Sequence, residues 1–147
     1  MQKNQQFKPT GAFIGASWAA LLIGLIAFTT GLWNATFLLN EKGYYLAVLL
    51  FGLFSAVSLQ KSIRDRIDGI PVTGIYYGIC WFSMITALSM LTIGLFNATM
   101  LPSEKGFYGM SFILALFAAV TVQKNIRDVA HFAPEAAPEL FKEPVKE

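Results

Sequence analysis

Two polar motifs in this sequence combine acids, bases and amides at a spacing that repeats. The members of the first motif and of its copy 63 residues later are Asn34, Glu41, Lys42, Asn97, Glu104 and Lys105. If the two copies converge, their charged groups could form an outer polar mouth through which a solute enters. The alternative, which we favour, is structural: the Asn side chain satisfies backbone groups where one helix stops, and the carboxylate lies near the positive start of the next.

The second motif reads QKSIRD at residues 60–65 and QKNIRD at residues 123–128. Its candidate lipid-headgroup residues are Lys61, Arg64, Lys124 and Arg127. On a helix, side chains four residues apart are neighbours, so each Lys can pair with the Asp of its own copy. The two arginines would then remain available for lipid phosphates or for the other copy. Anchoring and orientation in a membrane are sufficient to explain this motif.

The interior of the sequence contains little that could do chemistry. All twenty acidic and basic residues lie outside the four windows 9–40, 43–60, 69–103 and 106–123. Proton-coupled and ion-coupled transporters usually have such a group inside the membrane. There is no nucleophile beside a base, and one histidine with one cysteine cannot form a metal cluster. We therefore predict no enzyme, with no catalytic residue, no cofactor and no metal, and the sparse mixed charges also argue against nucleic-acid binding.

The four windows indicate the elements that carry both motifs. They are apolar on all sides, as a helix surrounded by lipid must be, and they lack the alternation of strands. Since a backbone in lipid must satisfy its own hydrogen bonds, they predict four transmembrane helices. The expected spans are about 12–33, 44–60, 75–96 and 107–122, joined by outer turns at 34–43 and 97–106.

The chain is an internal duplication. Residues 31–65 and 94–128 align without a gap, and 19 of the 35 positions are identical. Because each copy contains two spans, both copies have the same orientation in the membrane. The sequence therefore predicts an all-α membrane protein whose four transmembrane helices form two parallel-repeat helical hairpins, related by a pseudo-twofold axis along the membrane normal.

The predicted domain organisation has five parts. These are a cytoplasmic lead at 1–10, a first two-helix module at 11–68, an inter-module turn at 69–74, a second two-helix module at 75–130 and a disordered cytoplasmic tail at 131–147. Nine of the eleven basic residues lie on the side of the chain termini. The positive-inside bias therefore places both termini in the cytoplasm and the two short loops outside.

Small residues mark the predicted helix-packing faces. They form two GxxxG patterns in helices 1 and 3 and a matching stripe in helices 2 and 4: Gly11, Gly15, Gly74 and Gly78, then Gly52, Ser55, Ala56, Ala115, Ala118 and Ala119. Residues three and four apart share one face of a helix, and small side chains let two backbones approach closely. These faces are expected to lie at helix–helix contacts.

The paired motifs GLxNAT, EKGxY and QKxIRD resemble those of the YiaA/YiaB family of bacterial inner-membrane proteins, specifically a duplicated, YiaA-like member. The resemblance covers about residues 11–128. It implies a bacterial inner-membrane location and a two-helix domain that is present twice. It implies no activity, so no catalytic residue is transferred.

The leading functional hypothesis is a non-enzymatic, homo-oligomeric inner-membrane protein with an accessory or stress-related role, whose partners are membrane lipids and further copies of the chain. It follows from the small-residue faces and from the chemically quiet interior. The alternative is a small channel or transporter for neutral or weakly polar solutes, lined by hydroxyl groups and entered past Glu41 and Glu104. The sequence specifies no small-molecule ligand.

Overall fold

The structure, a computed structural model, describes residues 8–132. These residues form four α-helices: α1 (Gly11–Asn34), α2 (Leu39–Ile67), α3 (Gly74–Asn97) and α4 (Pro102–Phe132). Each helix is long and apolar enough to cross a membrane, and the described part of the chain contains no strand. The predicted all-α fold with four transmembrane helices is confirmed. The predicted tail beyond Phe132 and most of the predicted lead lie outside the described residues.

α1 and α3 begin at equivalent threonines. The Thr10 hydroxyl accepts a hydrogen bond from the Phe13 amide, and the Thr73 hydroxyl accepts one from the Tyr76 amide, each at 3.3 Å. A threonine at this position satisfies one of the amides that the first turn of a helix leaves without a partner. Because these caps are also 63 residues apart, the duplication extends to the starts of α1 and α3.

The outer turns are shorter than the sequence predicted. They span residues 35–38 and 98–101, so Gly43 and Gly106 lie inside α2 and α4 rather than at the ends of loops. The physical reason is capping, because the carboxylates of Glu41 and Glu104 bind the backbone amides at the starts of these helices. Charged residues in the headgroup region are compatible with a helix, although they end the apolar window.

The inter-module turn forms at Gly69. This residue has φ of +75°, in the left-handed region that favours glycine. The amide of Gly69 bonds the carbonyl of Arg66, and the amide of Ile70 bonds the carbonyl of Asp65. This arrangement satisfies the last carbonyls of α2 and redirects the chain toward α3.

The two modules interlock. α1 packs along α4 and α3 packs along α2, so each outer helix has its main contact in the other module. α2 and α4 contact each other at the centre, whereas the two helices of one module touch only slightly. Each predicted hairpin consists of two helices that are consecutive in the chain. The close helix packing, however, is between the modules rather than within a hairpin.

Equivalent contacts at Gly31 and Gly94 show the pseudo-twofold relation. A Cβ atom added at Gly31 would lie 2.9 Å from the Phe107 ring, and one added at Gly94 would lie 2.8 Å from the Tyr44 ring. Both pairs are related by the offset of 63 residues. Each first helix therefore meets the second helix of the opposite module in the same way.

The core is aromatic toward the outer side. Phe28 is fully buried and contacts the Tyr108 ring edge-on, with the centroids 5.4 Å apart, and the Phe112 ring at 6.2 Å. Phe37, in the first outer turn, stacks on Tyr45 at 5.4 Å. Such offset and edge-on pairs stabilise a core beyond the contribution of area alone. These rings close the bundle beneath the outer surface.

Candidate functional site

The carboxylates of the outer motif cap helices. Oε2 of Glu41 accepts a hydrogen bond from the Leu38 amide, and Oε2 of Glu104 accepts one from the Leu101 amide, both at 2.9 Å. The carboxylates thus lie at the positive ends of α2 and α4, where the helix dipole favours them. This arrangement is structural, and it occupies one oxygen of each acid.

The amides and ammonium groups of the outer motif satisfy the ends of α1 and α3. The ammonium of Lys42 donates to the Trp33 carbonyl at 2.8 Å, and that of Lys105 donates to the Phe96 carbonyl at 3.2 Å. The side-chain amides of Asn34 and Asn97 donate to carbonyls one turn earlier in their own helices, each at 2.8 Å. The last carbonyls of a helix otherwise lack partners, and these side chains supply the missing hydrogen-bond donors.

Two outer pockets nevertheless form where the modules meet. One of about 450 Å³ contains Glu41, Glu104 and Asn34, and its partner of about 330 Å³ contains Glu41 and Asn97. The predicted mouth residues are thus partly brought together, with Glu41 lining both pockets. Lys42 and Lys105 line neither pocket, because their ammonium groups lie on the carbonyls of α1 and α3.

Below these pockets the bundle is filled. Tyr108 lines the larger pocket and Tyr45 lines the smaller one, and both side chains are buried. Beneath them Phe28, Val48 and Phe112 have no exposed surface. The described residues therefore provide two shallow recesses at the outer surface, above a packed apolar layer.

The inner motif consists mainly of ion pairs. Lys61 pairs with Asp65, and Lys124 pairs with Asp128 at 2.9 Å, each one helical turn apart. Nε of Arg64 lies 3.4 Å from the Asp68 carboxylate. The lysines of these pairs are exposed and the aspartates largely buried. Helical pairs at this spacing contribute only about 0.3–0.5 kcal/mol each, so their main effect is to set the local charge.

Arg127 links the two modules. Its Nη1 lies 3.7 Å from Oδ1 of Asp65, and its Nη2 donates to the Asp68 carboxylate, so α4 is tied to α2. Position 131, the equivalent of Asp68 in the second module, is His131. An equivalent link from Arg64 to α4 would need a second acid at position 131, where the sequence has a histidine.

Two inner grooves lie beside these ion pairs, one on each side of the pseudo-axis. The first, of about 380 Å³, is lined mainly by Ala56, Leu59, Gln60, Ile63, Arg64, Ile67, Met84 and Val120. Eight positions of the second, of about 510 Å³, are the equivalents of these eight residues, and its arginine is Arg127. Each groove has apolar walls and one arginine, and the second groove is also lined by Lys61 and Asp65. We name them the Arg64 groove and the Arg127 groove.

The predicted helix-packing residues fall into two groups. Those of helices 2 and 4 lie inside the bundle, with Ala119 half-buried and the others buried: Gly52, Ser55, Ala56, Ala115, Ala118 and Ala119. Those of helices 1 and 3 are exposed, and an added Cβ would meet no atom within 4 Å: Gly11, Gly15, Gly74 and Gly78. The second group makes no helix contact within the described chain.

A buried polar pair was not anticipated from the sequence. The Asn125 side chain, 2% exposed, donates a hydrogen bond of 3.0 Å to the Ser17 hydroxyl and so joins α4 to α1. The sequence analysis assigned no role to Asn125, although it lies within the second inner motif. The available signal was the difference between the copies, since the equivalent positions are Cys80 and Ser62, which are also buried.

We expect Asn125→Ala to lower the free energy of unfolding by about 1 kcal/mol, the scale of a hydrogen bond between membrane helices. The loss arises because the Ser17 hydroxyl loses its partner on α4. Thr92→Ala is the matched control, since the exposed Thr92 hydroxyl bonds only the Leu88 carbonyl of its own helix. Equilibrium unfolding of both purified variants in detergent tests this, and equal losses would contradict it.

Among the described residues, no group of three or more His, Cys, Asp or Glu side chains could hold a metal ion. The acidic and basic side chains of the described residues lie near the two membrane surfaces, and several of them pair with each other or cap helices. The described residues form surface pockets and grooves that could bind a ligand.

Comparison with known proteins identifies related membrane proteins. The family model of the yiaA/B two helix domain matches the chain twice, at residues 13–65 and 76–128. The chain is 56% identical to inner membrane protein YiaA of Escherichia coli over 124 residues, which cover 84% of this chain and 86% of that protein. No solved structure matches the chain.

Two further relatives are more distant. The chain is 28% identical over 105 residues to inner membrane protein YiaB of E. coli, covering 71% of this chain and 88% of that protein. It is 39% identical over 69 residues to the uncharacterized membrane protein YubF of Bacillus subtilis, covering 46% of this chain and 78% of YubF. The names of these relatives give a membrane location and no enzymatic activity.

Proposed function

Because this chain belongs to the yiaA/B two-helix domain family, a family of inner-membrane proteins, we propose that it is a non-catalytic protein that forms homo-oligomers in that membrane. Within the membrane it serves as an accessory component. The stress-related role that the sequence hypothesis included stays a prediction.

The observation that carries this proposal is the position of the GxxxG glycines. All four lie on exposed faces of the two outer helices, where an added Cβ would meet nothing within 4 Å. Within lipid there is no hydrophobic force to join helices, so close backbone approach at small residues is a main source of association. The GxxxG glycines of α1 and α3 thus lie exposed on opposite sides of the interlocked modules.

We expect the double variant Gly15→Ile and Gly78→Ile to shift the purified protein toward monomer. A branched side chain at these positions separates the backbones and removes the contact that small residues permit. Native mass spectrometry of the full chain from nanodiscs measures the distribution of oligomers. The expected result is at least a tenfold loss of association, which corresponds to about 1.4 kcal/mol.

The matched control is Gly109→Ile on α4. An added Cβ at Gly109 also meets no atom within 4 Å, but this residue belongs to no GxxxG pattern. The control should keep the oligomer distribution of the wild type. A wild-type chain that is monomeric at every concentration would refute the proposal, as would an equal loss in the control.

The alternative of a small channel or transporter has less support. The outer pockets could admit a polar solute, but they end on the buried rings of Tyr45 and Tyr108. A solute would have to displace the fully buried Phe28 and Phe112 to pass further. We therefore do not assign a transport pathway.

We also propose that both chain termini face the cytoplasm. The basis is the excess of basic residues on the membrane side that carries the inner motifs. A reporter that is active only outside the cytoplasm, fused to the C-terminus, should be inactive. An active external reporter would reverse this orientation.

A further inference from the structure

We infer that the Arg64 groove is a binding site for one anionic phospholipid, with an acyl chain along its apolar wall and the phosphate on the Arg64 guanidinium. This inference is independent of the proposed oligomer, since all eight lining residues belong to one chain. It concerns a single groove of the pseudo-symmetric pair.

The lining of the groove matches an acyl chain. Side chains from α2, α3 and α4 form its wall, and Leu59, Met84 and Val120 are among the apolar members. Among the described residues that line the groove, the polar side chains are those of Gln60 and Arg64. The groove therefore presents hydrocarbon along its length, and its amide and cation lie on the part of α2 that carries the inner motif.

The charge on this membrane face is also complementary to an anionic lipid. Residues 61–68 and 124–131 carry five basic side chains and three acidic ones. Basic pockets between transmembrane helices are a recognised setting for acidic lipid headgroups. A zwitterionic lipid gains much less from this excess.

The two arginines differ in what they have available for a phosphate. Both terminal nitrogens of Arg127 face carboxylates, at Asp65 and Asp68. The contact of Arg64 within residues 8–132 is made by Nε, 3.4 Å from the Asp68 carboxylate, and its terminal nitrogens have no hydrogen-bond partner among these residues. A guanidinium with both terminal nitrogens available can bind a phosphate with two parallel hydrogen bonds.

The break in the internal symmetry explains this difference. The acid that completes the Arg127 cluster is Asp68, and its equivalent in the second module is His131. Asp128 pairs with Lys124 just as Asp65 pairs with Lys61, so what distinguishes the two clusters is the acid missing at position 131. The duplication therefore produced two similar grooves: the terminal nitrogens of the arginine face carboxylates in one of them, whereas in the other the arginine meets a carboxylate only through Nε among residues 8–132.

Lipid titration of the purified full-length chain tests the site. Native mass spectrometry in detergent would compare phosphatidylglycerol with phosphatidylcholine that has the same acyl chains. We expect one phosphatidylglycerol per chain to bind about tenfold more tightly than phosphatidylcholine. Equal binding of the two lipids would show annular lipid only and would overturn the inference.

Charge variants locate the site. Arg64→Gln should lower the affinity for phosphatidylglycerol about tenfold, since a charge-assisted contact is lost. Arg66→Gln is the matched control, because it removes the same charge from the same face, while Arg66 lies on the Tyr77 ring and lines neither groove. Similar losses in both variants would indicate diffuse attraction and would refute a site.

Filling each groove provides a test that leaves the charge unchanged. Val120→Trp occupies the Arg64 groove, and Val57→Trp occupies the equivalent position of the Arg127 groove. We expect the first variant to lose the preference for phosphatidylglycerol and the second to retain it. If only Val57→Trp lost the preference, the lipid would bind in the Arg127 groove, and the assignment to the Arg64 groove would be overturned.

Discussion

Replacing Gly24 with leucine is expected to lower the free energy of unfolding by about 3 kcal/mol, at the upper end for an overpacked contact. A Cβ atom at this position would lie 2.8 Å from the backbone nitrogen of Ala115 and 3.0 Å from its Cα. The obstructing atoms belong to the backbone of α4, so no side-chain rotation can relieve the clash. α1 must move away from α4, and the contact between the modules opens.

Gly109→Leu is the matched control for this variant. It places the same side chain on α4, at a position where an added Cβ meets no atom within 4 Å. Equilibrium unfolding of the purified proteins in detergent is followed by circular dichroism. Gly109→Leu should change the free energy of unfolding by no more than about 1 kcal/mol, the scale of helix propensity. If Gly24→Leu were as stable as this control, α1 would not pack on α4 as the structure has it.

The internal repeat supplies a compensating exchange for the same contact. The equivalents of Gly24 and Ala115 in the opposite modules are Ala87 and Gly52, so the small and the larger residue are reversed. Ala115→Gly removes the Ala115 Cβ, 3.1 Å from the new Cβ, but leaves the closer backbone atoms, so Gly24→Ala combined with Ala115→Gly should recover only part of the loss caused by Gly24→Ala. If the loss of unfolding free energy in the double variant equalled the sum of the losses in the two single variants, the α1–α4 and α3–α2 interfaces would not be equivalent.

Phe112→Ala is expected to lower the free energy of unfolding by about 3 kcal/mol. The Phe112 ring is fully buried, and its tip lies against Gly52 of α2, where an added Cβ would be 2.5 Å from Cζ. The loss persists in a membrane, because a cavity removes dispersion contacts whether the surroundings are water or lipid. Phe117→Ala is the control on the same helix, since its side chain is 68% exposed.

The contact between Phe112 and Gly52 predicts a reversal of sign. Gly52→Val alone should destabilise the protein, because the new side chain overlaps the phenyl ring. In the Phe112→Ala background the same substitution fills part of the cavity and should recover some stability. The unfolding free energies of the four proteins measure this coupling, and additive losses would contradict the central contact between α2 and α4.

The outer motif shows how far residue types alone lead to a site. The sequence suggested two possible roles for Glu41 and Glu104: lining an outer polar mouth, or stabilising the start of the following helix. The structure gives both acids a capping hydrogen bond and also places them in one pocket. Spacing identifies a residue that can cap, because capping is local. It cannot identify a pocket, which depends on how the two modules approach each other.

The inner motif shows the same limit more clearly. The pairing of Lys61 with Asp65 and of Lys124 with Asp128 follows from a spacing of four residues on a helix. The link from Arg127 to Asp68 joins residues 59 positions apart, and it depends on α4 lying beside α2. The two inner grooves, and the difference between their arginines, have the same origin.

The sequence by itself determined the membrane-spanning fold, the duplication and the confinement of charge to the two surfaces. An apolar segment in lipid must satisfy its backbone hydrogen bonds internally, which predicts a helix here. The repeat is recognised by comparing the sequence with itself. Only the tertiary structure decided which helices pack together. All four spans are apolar on every side, so hydrophobicity does not distinguish a face that meets a helix from one that meets lipid. Contact at Gly24 and Gly52, and exposure at Gly15 and Gly78, are decided by close packing between elements.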